Sequence, residues 1–202
     1  MKAVVIALAV CGLCGARPAA ADDLSDMLKK GPMARVDVDK AGKFDAVVSV
    51  VDVDVPAARL WSVLLDYPSY RFFMPRVSDV GVEVDKSGVT HVKWNIDTPL
   101  VRTKYSNAMS VDANNMIMKA VTVEGDMAGS RYEWRVMALS ESKCRMIHTA
   151  WPRNMASIVD TLDDHQQTLT VGVAVSSVMA TVRALKQRAE LIEAQAKKSA
   201  PK

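Results

Sequence analysis

Three histidines, His91, His148 and His165, are the side chains best suited to acid–base or metal chemistry in this 202-residue sequence. Asp163, Asp164 and His165 make a short acidic corner, but no His-x3-His or paired-cysteine spacing accompanies it. A metal site needs three or four converging ligands. The corner therefore reads as a solvated cap before the last helix, and the expectation is no metal. Nucleophilic catalysis of the Ser–His–Asp type would want a serine on a strained G-x-S-x-G turn, and none occurs. Neither a phosphate-cradling glycine loop nor a dinucleotide fingerprint is present. No catalytic residue and no cofactor are expected.

Two histidines fall in alternating segments. His91 precedes Val92, Trp94 and Ile96 in opposite phase, so it should face solvent. His148 shares phase with Cys144 and Met146, which places it either inside a pocket as a proton donor or ligand contact, or in the core as a hydrogen-bonded structural histidine. The same phase reasoning gives further candidates. Trp94 and Trp134 lie on the apolar faces of their segments. Tyr105 goes with Met109 and Val111, and Met118 with Met116 and Ala120. Tyr105, Asn107 and His148 are the polar groups suited to orient a ligand. Met side chains adapt to varied apolar partners, although such a stripe also suits an ordinary core.

The elements that must position these residues are legible in outline. Residues 44–55 are dominated by β-branched side chains, a strand composition. Pro56 opens a helix carrying Ala57, Leu60, Trp61 and Leu64 at helical spacing, and a second short helix runs toward Met74 and Pro75. Residues 77–151 then alternate apolar and polar between turn signals at 85–88, 97–99, 112–115, 124–126 and 140–142. That pattern predicts about six antiparallel strands in a meander. The chain closes with one long helix over residues 167–196, whose apolar stripe includes Val171, Val175, Val178, Met179, Val182 and Leu185. Val178, Met179 and Val182 are expected to face the sheet and wall the ligand site. The order implies an α+β domain with an antiparallel sheet bent over one helix.

Composition narrows the function. Half the residues are hydrophobic and the formal charge is only +3, which argues against a nucleic-acid binder. Lys2, an apolar run over residues 3–13 and the Ala19–Ala20–Ala21 exit read as a secretory signal peptide over residues 1–21. The run is too short for a membrane span of about 20 residues. Cleavage would remove Lys2 and Arg17, two of 26 basic residues, and none of the 23 acidic ones, so the charge would fall to +1. Only Cys144 of the three cysteines would remain, so no internal disulfide could form. The expected organisation is a signal peptide, an N-terminal segment 22–43, a main domain 44–196 and a polar tail 197–202, in a secreted or periplasmic protein.

Local text adds a resemblance. Val53-Asp54-Val55-Pro56-Ala57-Ala58-Arg59-Leu60-Trp61-Ser62-Val63-Leu64, then Asp66-Tyr67-Pro68-Ser69-Tyr70 and Phe73-Met74-Pro75-Arg76-Val77, resemble START-type, polyketide cyclase-like domains. The coenzyme Q-binding group is the branch most similar. The likeness covers residues 44–195. It implies a helix-grip fold, a curved antiparallel β-sheet wrapped around a long C-terminal helix, with a hydrophobic small-molecule ligand between them. It also implies a carrier with transient membrane contact. Cyclases share the fold, so an enzyme using a histidine or tyrosine acid/base stays open, as does a protein-interaction module. Neither reading fixes an oligomeric state.

Overall fold

The computed structural model describes residues 19–97, 102–153 and 166–199. The signal-peptide assignment therefore lies almost wholly outside the described residues, as do the 163–165 corner and most of the 97–99 turn. Helix α1 (Ala19–Lys30) leads into β1 (Met33–Val38) and β2 (Phe44–Val53). Helix α2 (Ala57–Leu65) and a 3-10 turn (Tyr67–Phe72) follow. Six strands come next: β3 (Val77–Val84), β4 (Thr90–Asp97), β5 (Arg102–Asp112), β6 (Ile117–Gly125), β7 (Arg131–Ser140) and β8 (Lys143–Trp151). The long helix α3 (Gln166–Ser199) is last. One antiparallel sheet runs in the order β1-β2-β8-β7-β6-β5-β4-β3. The meander and terminal helix follow the alternation and the 3.6 period. Strand β1 is an addition to the expected elements, because its exposed, charged text (Arg35, Asp37) hides the pattern of an edge strand.

Turn chemistry fixes the registers. Asp85 Oδ1 accepts from the Ser87 N–H (2.8 Å), the Ser87 hydroxyl (2.6 Å) and the Val89 N–H (3.0 Å), closing the β3–β4 hairpin. Gly125 ends β6 opposite Tyr105, beside a bulge at Ser106 and Asn107. Its φ of +91° suits only glycine, and a Cβ there would stand 2.1 Å from the Lys104 carbonyl oxygen.

One packed core gathers Val51, Val53, Leu60, Leu64, Met118, Met146, Val182 and Leu185 between α2, α3 and the sheet. A second cluster joins Val47, Met127, Ala150, Ala174 and Val178 farther along α3. The helix packs closest on β2, α2, β1 and β8. Its near side is clamped by charges. Lys186 Nζ donates to the Asp52 carbonyl (2.8 Å) and to Glu190 (2.6 Å), while Arg59 pairs with Glu193 at 3.0 Å. Asp52 itself holds Arg145 through two hydrogen bonds of 2.7 and 3.2 Å. Burial pushes the Asp52 carboxyl up, but Arg145 and then Lys143 more than offset it, so its pKa ends below the usual value. Among the described residues no helix is long and apolar enough to cross a membrane.

Candidate functional site

Register places the expected side chains on one surface. Trp94 faces Tyr105 across β4 and β5, and Asn107 faces Thr122 across β5 and β6. Met118 faces Trp134, and Trp134 faces His148. All six sequence candidates on strands thus share the concave face of the sheet. On α3, Val178 and Val182 are buried and packed into the two core clusters. Met179 is in neither cluster; it lies on the helix stripe of Lys186, Glu190 and Glu193 that runs toward β2 and α2. His91 is on the other face of β4, with Nε2 at 3.0 Å from Asp85.

His148 is the best-defined polar group of this surface. Its ring stacks on Trp134 at 4.5 Å between centroids with a 10° interplanar angle, and Tyr132 continues the stack. Nδ1 lies 3.1 Å from the Glu133 carbonyl oxygen. A carbonyl only accepts, so Nδ1 carries the proton and Nε2 presents a lone pair. Burial depresses the imidazole to about 4, against a smaller opposing effect of the Glu133 hydrogen bond. The ring is therefore neutral near pH 7.

A pH signature follows. An unfolded histidine titrates near 6.5, so the folded state binds fewer protons between about 6.5 and about 4. His148 should contribute stability that is fully present above pH 6.5 and is lost as pH falls toward 4. Thermal unfolding measured across that window should show the slope in the wild type and lose most of it in His148→Phe. An unchanged slope in the variant would refute the buried, neutral assignment.

The other polar groups form a second patch. The Thr122 hydroxyl donates to Asn107 Oδ1 at 2.8 Å. Burial raises Tyr105 well above its ordinary pKa, with Tyr132 adding to the effect. Burial also raises Tyr132, partly held down by the hydroxyls of Ser130 and Thr122. Both phenols therefore stay protonated near neutral pH. The indole N–H groups of Trp94 and Trp134 are buried and have no acceptor. Tyr67 and Tyr70 bound the face from the 3-10 turn: Tyr67 OH meets Met118 Sδ at 3.2 Å, and Tyr70 lies 5.4 Å from Trp94. Burial lifts the Tyr67 phenol to about 12.

Sequence reasoning missed Thr122, Tyr132, Tyr67 and Tyr70 as site residues. Phase alone carried the first two, since Thr122 is in step with Met118 and Tyr132 with Trp134. The tyrosines of the 3-10 turn stand in the segment that carried the family resemblance, and nothing in their spacing points inward.

Among the described residues the concave face of β4–β8 carries no carboxylate, and no group of three metal-ligating side chains stands together. The convex face has a shallow depression of about 410 Å3 lined by Glu83, His91, Lys93, Ser106, Val123 and Glu124. Its lysine is already paired with Glu83 at 2.7 Å. The concave face remains the candidate binding surface.

The sequence profile of the family described as polyketide cyclase/dehydrase and lipid transport matches residues 53–165. The chain belongs to this family. Solved structures agree on the fold of the polyketide cyclase/dehydrase and lipid-transport family. The Zhui aromatase/cyclase from Streptomyces sp. R1128 is 19% identical, with a TM-score of 0.62 over 78% of this chain and 94% of its own. A START superfamily protein from Mycobacterium smegmatis is 12% identical, with a TM-score of 0.62 over 73% and 99%. Norcoclaurine synthase from Thalictrum flavum, 12% identical, superposes with a TM-score of 0.51 over 81% and 98%. No curated protein matches the sequence. Named enzymes and a START superfamily protein thus share this architecture, and the local chemistry must separate catalysis from binding.

Proposed function

We propose that this member of the family binds and carries an apolar small molecule on the concave face, without catalysing its conversion. The observation that carries the reading is the character of that face: aromatic and aliphatic side chains, neutral buried phenols, one neutral imidazole and no carboxylate among the described residues. Acid–base turnover works best with a group whose pKa lies near the working pH. His148, depressed to about 4, is poorly matched to that role. Apolar burial at about 25 cal/mol per Å2 supplies the affinity instead, and the few polar atoms fix orientation. Lipid-, quinone- and sterol-like molecules all fit such a face, and loading by transient membrane contact belongs to the same proposal and rests on the family resemblance.

Purified protein should release a stoichiometric apolar compound on solvent extraction, with native mass spectrometry giving the matching mass difference. Protein that stays free of bound compound and takes up none from a lipid extract would end the carrier reading. The rival is a cyclase, favoured by an unprotonated His148 Nε2 on the concave face. Its mark would be a measurable turnover that His148→Ala abolishes while the fold is retained.

Export is part of the proposal. Signal cleavage after Ala21 would trim the first turn of α1 and leave a helix beginning at Asp22, which still carries the buried Leu28. N-terminal sequencing of protein from the exported fraction should read Asp22-Asp23-Leu24. An intact Met1, or a lipid-modified cysteine, would refute the export assignment.

A further inference from the structure

Helix α3 carries four half-buried charges along its C-terminal half. Lys186 pairs with Glu190 at 2.6 Å, and Glu193 holds Arg59 at 3.0 Å and Lys197 at 3.7 Å. Arg188 is different. Among the described residues it has no ionic partner, and its Nε is buried with no hydrogen-bond acceptor. It stands on the stripe of Thr181 and Ala184, on the flank of α3 away from the clamp with β2. Its guanidinium lies 5.7 Å from the centre of the Phe73 ring. Phe73 touches Tyr70 at 5.2 Å, and Tyr70 touches Trp94 at 5.4 Å. The indole N–H of Trp94 is a second buried donor without an acceptor. This end of the concave face therefore offers a cation and a neutral donor around an aromatic wall. Tyr70, the phenol between them, already donates to the Leu64 carbonyl at 2.9 Å.

Buried donors left unpaired are costly. A bound molecule that brings an oxygen acceptor to Arg188 Nε relieves that cost. We propose that the ligand is an apolar carboxylate, its anionic end held by Arg188 and its apolar body laid over the concave face. A guanidinium binds a carboxylate through parallel, charge-assisted hydrogen bonds, which a neutral acceptor cannot match. This inference rests on the carrier reading and narrows it to a ligand class.

The test compares ligands that differ only at the end group. Dodecanoate, dodecan-1-ol and a decyl-substituted benzoquinone are titrated against the full chain at neutral pH, each displacing the neutral dye Nile red. Dodecanoate should compete at roughly tenfold lower concentration than the alcohol or the quinone. Arg188→Gln should remove that preference, and Arg188→Lys should keep part of it. Arg183→Gln, at an exposed position of the same helix, should leave it intact. Equal competition by acid and alcohol in the wild type, tighter binding of the quinone, or a preference that survives Arg188→Gln would each overturn the assignment. Those outcomes leave the carrier reading standing. A protein that binds neither the dye nor any of the three compounds would overturn both.

Discussion

Gly125→Ala should destabilise the protein by about 3–5 kcal/mol, or prevent its folding, even though it adds a single methyl group at an exposed position. At φ +91° the added Cβ would meet the Lys104 carbonyl oxygen at 2.1 Å and Tyr105 Cα at 2.7 Å. Both obstacles are backbone atoms held in the β5–β6 ladder, so no side-chain rotation relieves them. The conformation is itself unfavourable for an L-residue. Relief would require shifting β5 at the bulge next to Tyr105 and Asn107, so ligand binding should fall with stability. Gly172→Ala is the control. Gly172 lies in α3, and a Cβ added there would have nothing within 4 Å. Alanine at this position should stabilise by about 0.5–1 kcal/mol. Chemical denaturation of the two variants would test the contrast, and a mild effect at Gly125 would contradict the close approach.

Leu185→Ala should cost about 2–5 kcal/mol, the range for truncating a fully buried leucine. Leu185 is 0% exposed and sits at the centre of the α3 stripe against α2 and the sheet. The cavity left behind would form where the helix is held between its charge clamp and the packed strands, which limits collapse around it. Leu191, on the same helix but 51% exposed, should tolerate alanine within about 0.5 kcal/mol. Equilibrium denaturation gives both values. Equal losses at the two positions would mean that α3 is not seated as described.

Much of this arrangement was legible in the sequence because strands expose their faces through a period of two. Val92, Trp94 and Ile96, and likewise Tyr132, Trp134 and Val136, announce one buried side, and the sheet keeps that side for the site. His148 could be assigned to the interior for the same reason. Whether it was a proton donor or a structural group was not legible, because that depends on the Glu133 carbonyl and the Trp134 ring, which only the fold brings to it. Arg188 escaped notice on different grounds. A helix stripe has soft edges, and a long basic side chain at its margin can turn toward water or toward a neighbouring ring. Its place beside Phe73 depends on the angle at which α3 crosses the sheet. Strand β1 was hidden by its edge position, where charged residues replace the apolar alternation.

The strand order has a kinetic consequence. β3 through β8 pair with their chain neighbours and can assemble hairpin by hairpin, each closing a short loop. β1 and β2 form one more such hairpin, but β2 meets β8 only across a long span: Ser49 in β2 and the His148 carbonyl that it meets in β8 are 99 residues apart in the chain. Closing so long a loop carries an entropic cost before any contact repays it, and topologies rich in such closures fold slowly. A ribosome emitting this chain must deliver all of β8 before β2 finds its second partner. The strand bearing His148 is then completed by the longest-range closure of the sheet, which makes the binding surface a late product of folding.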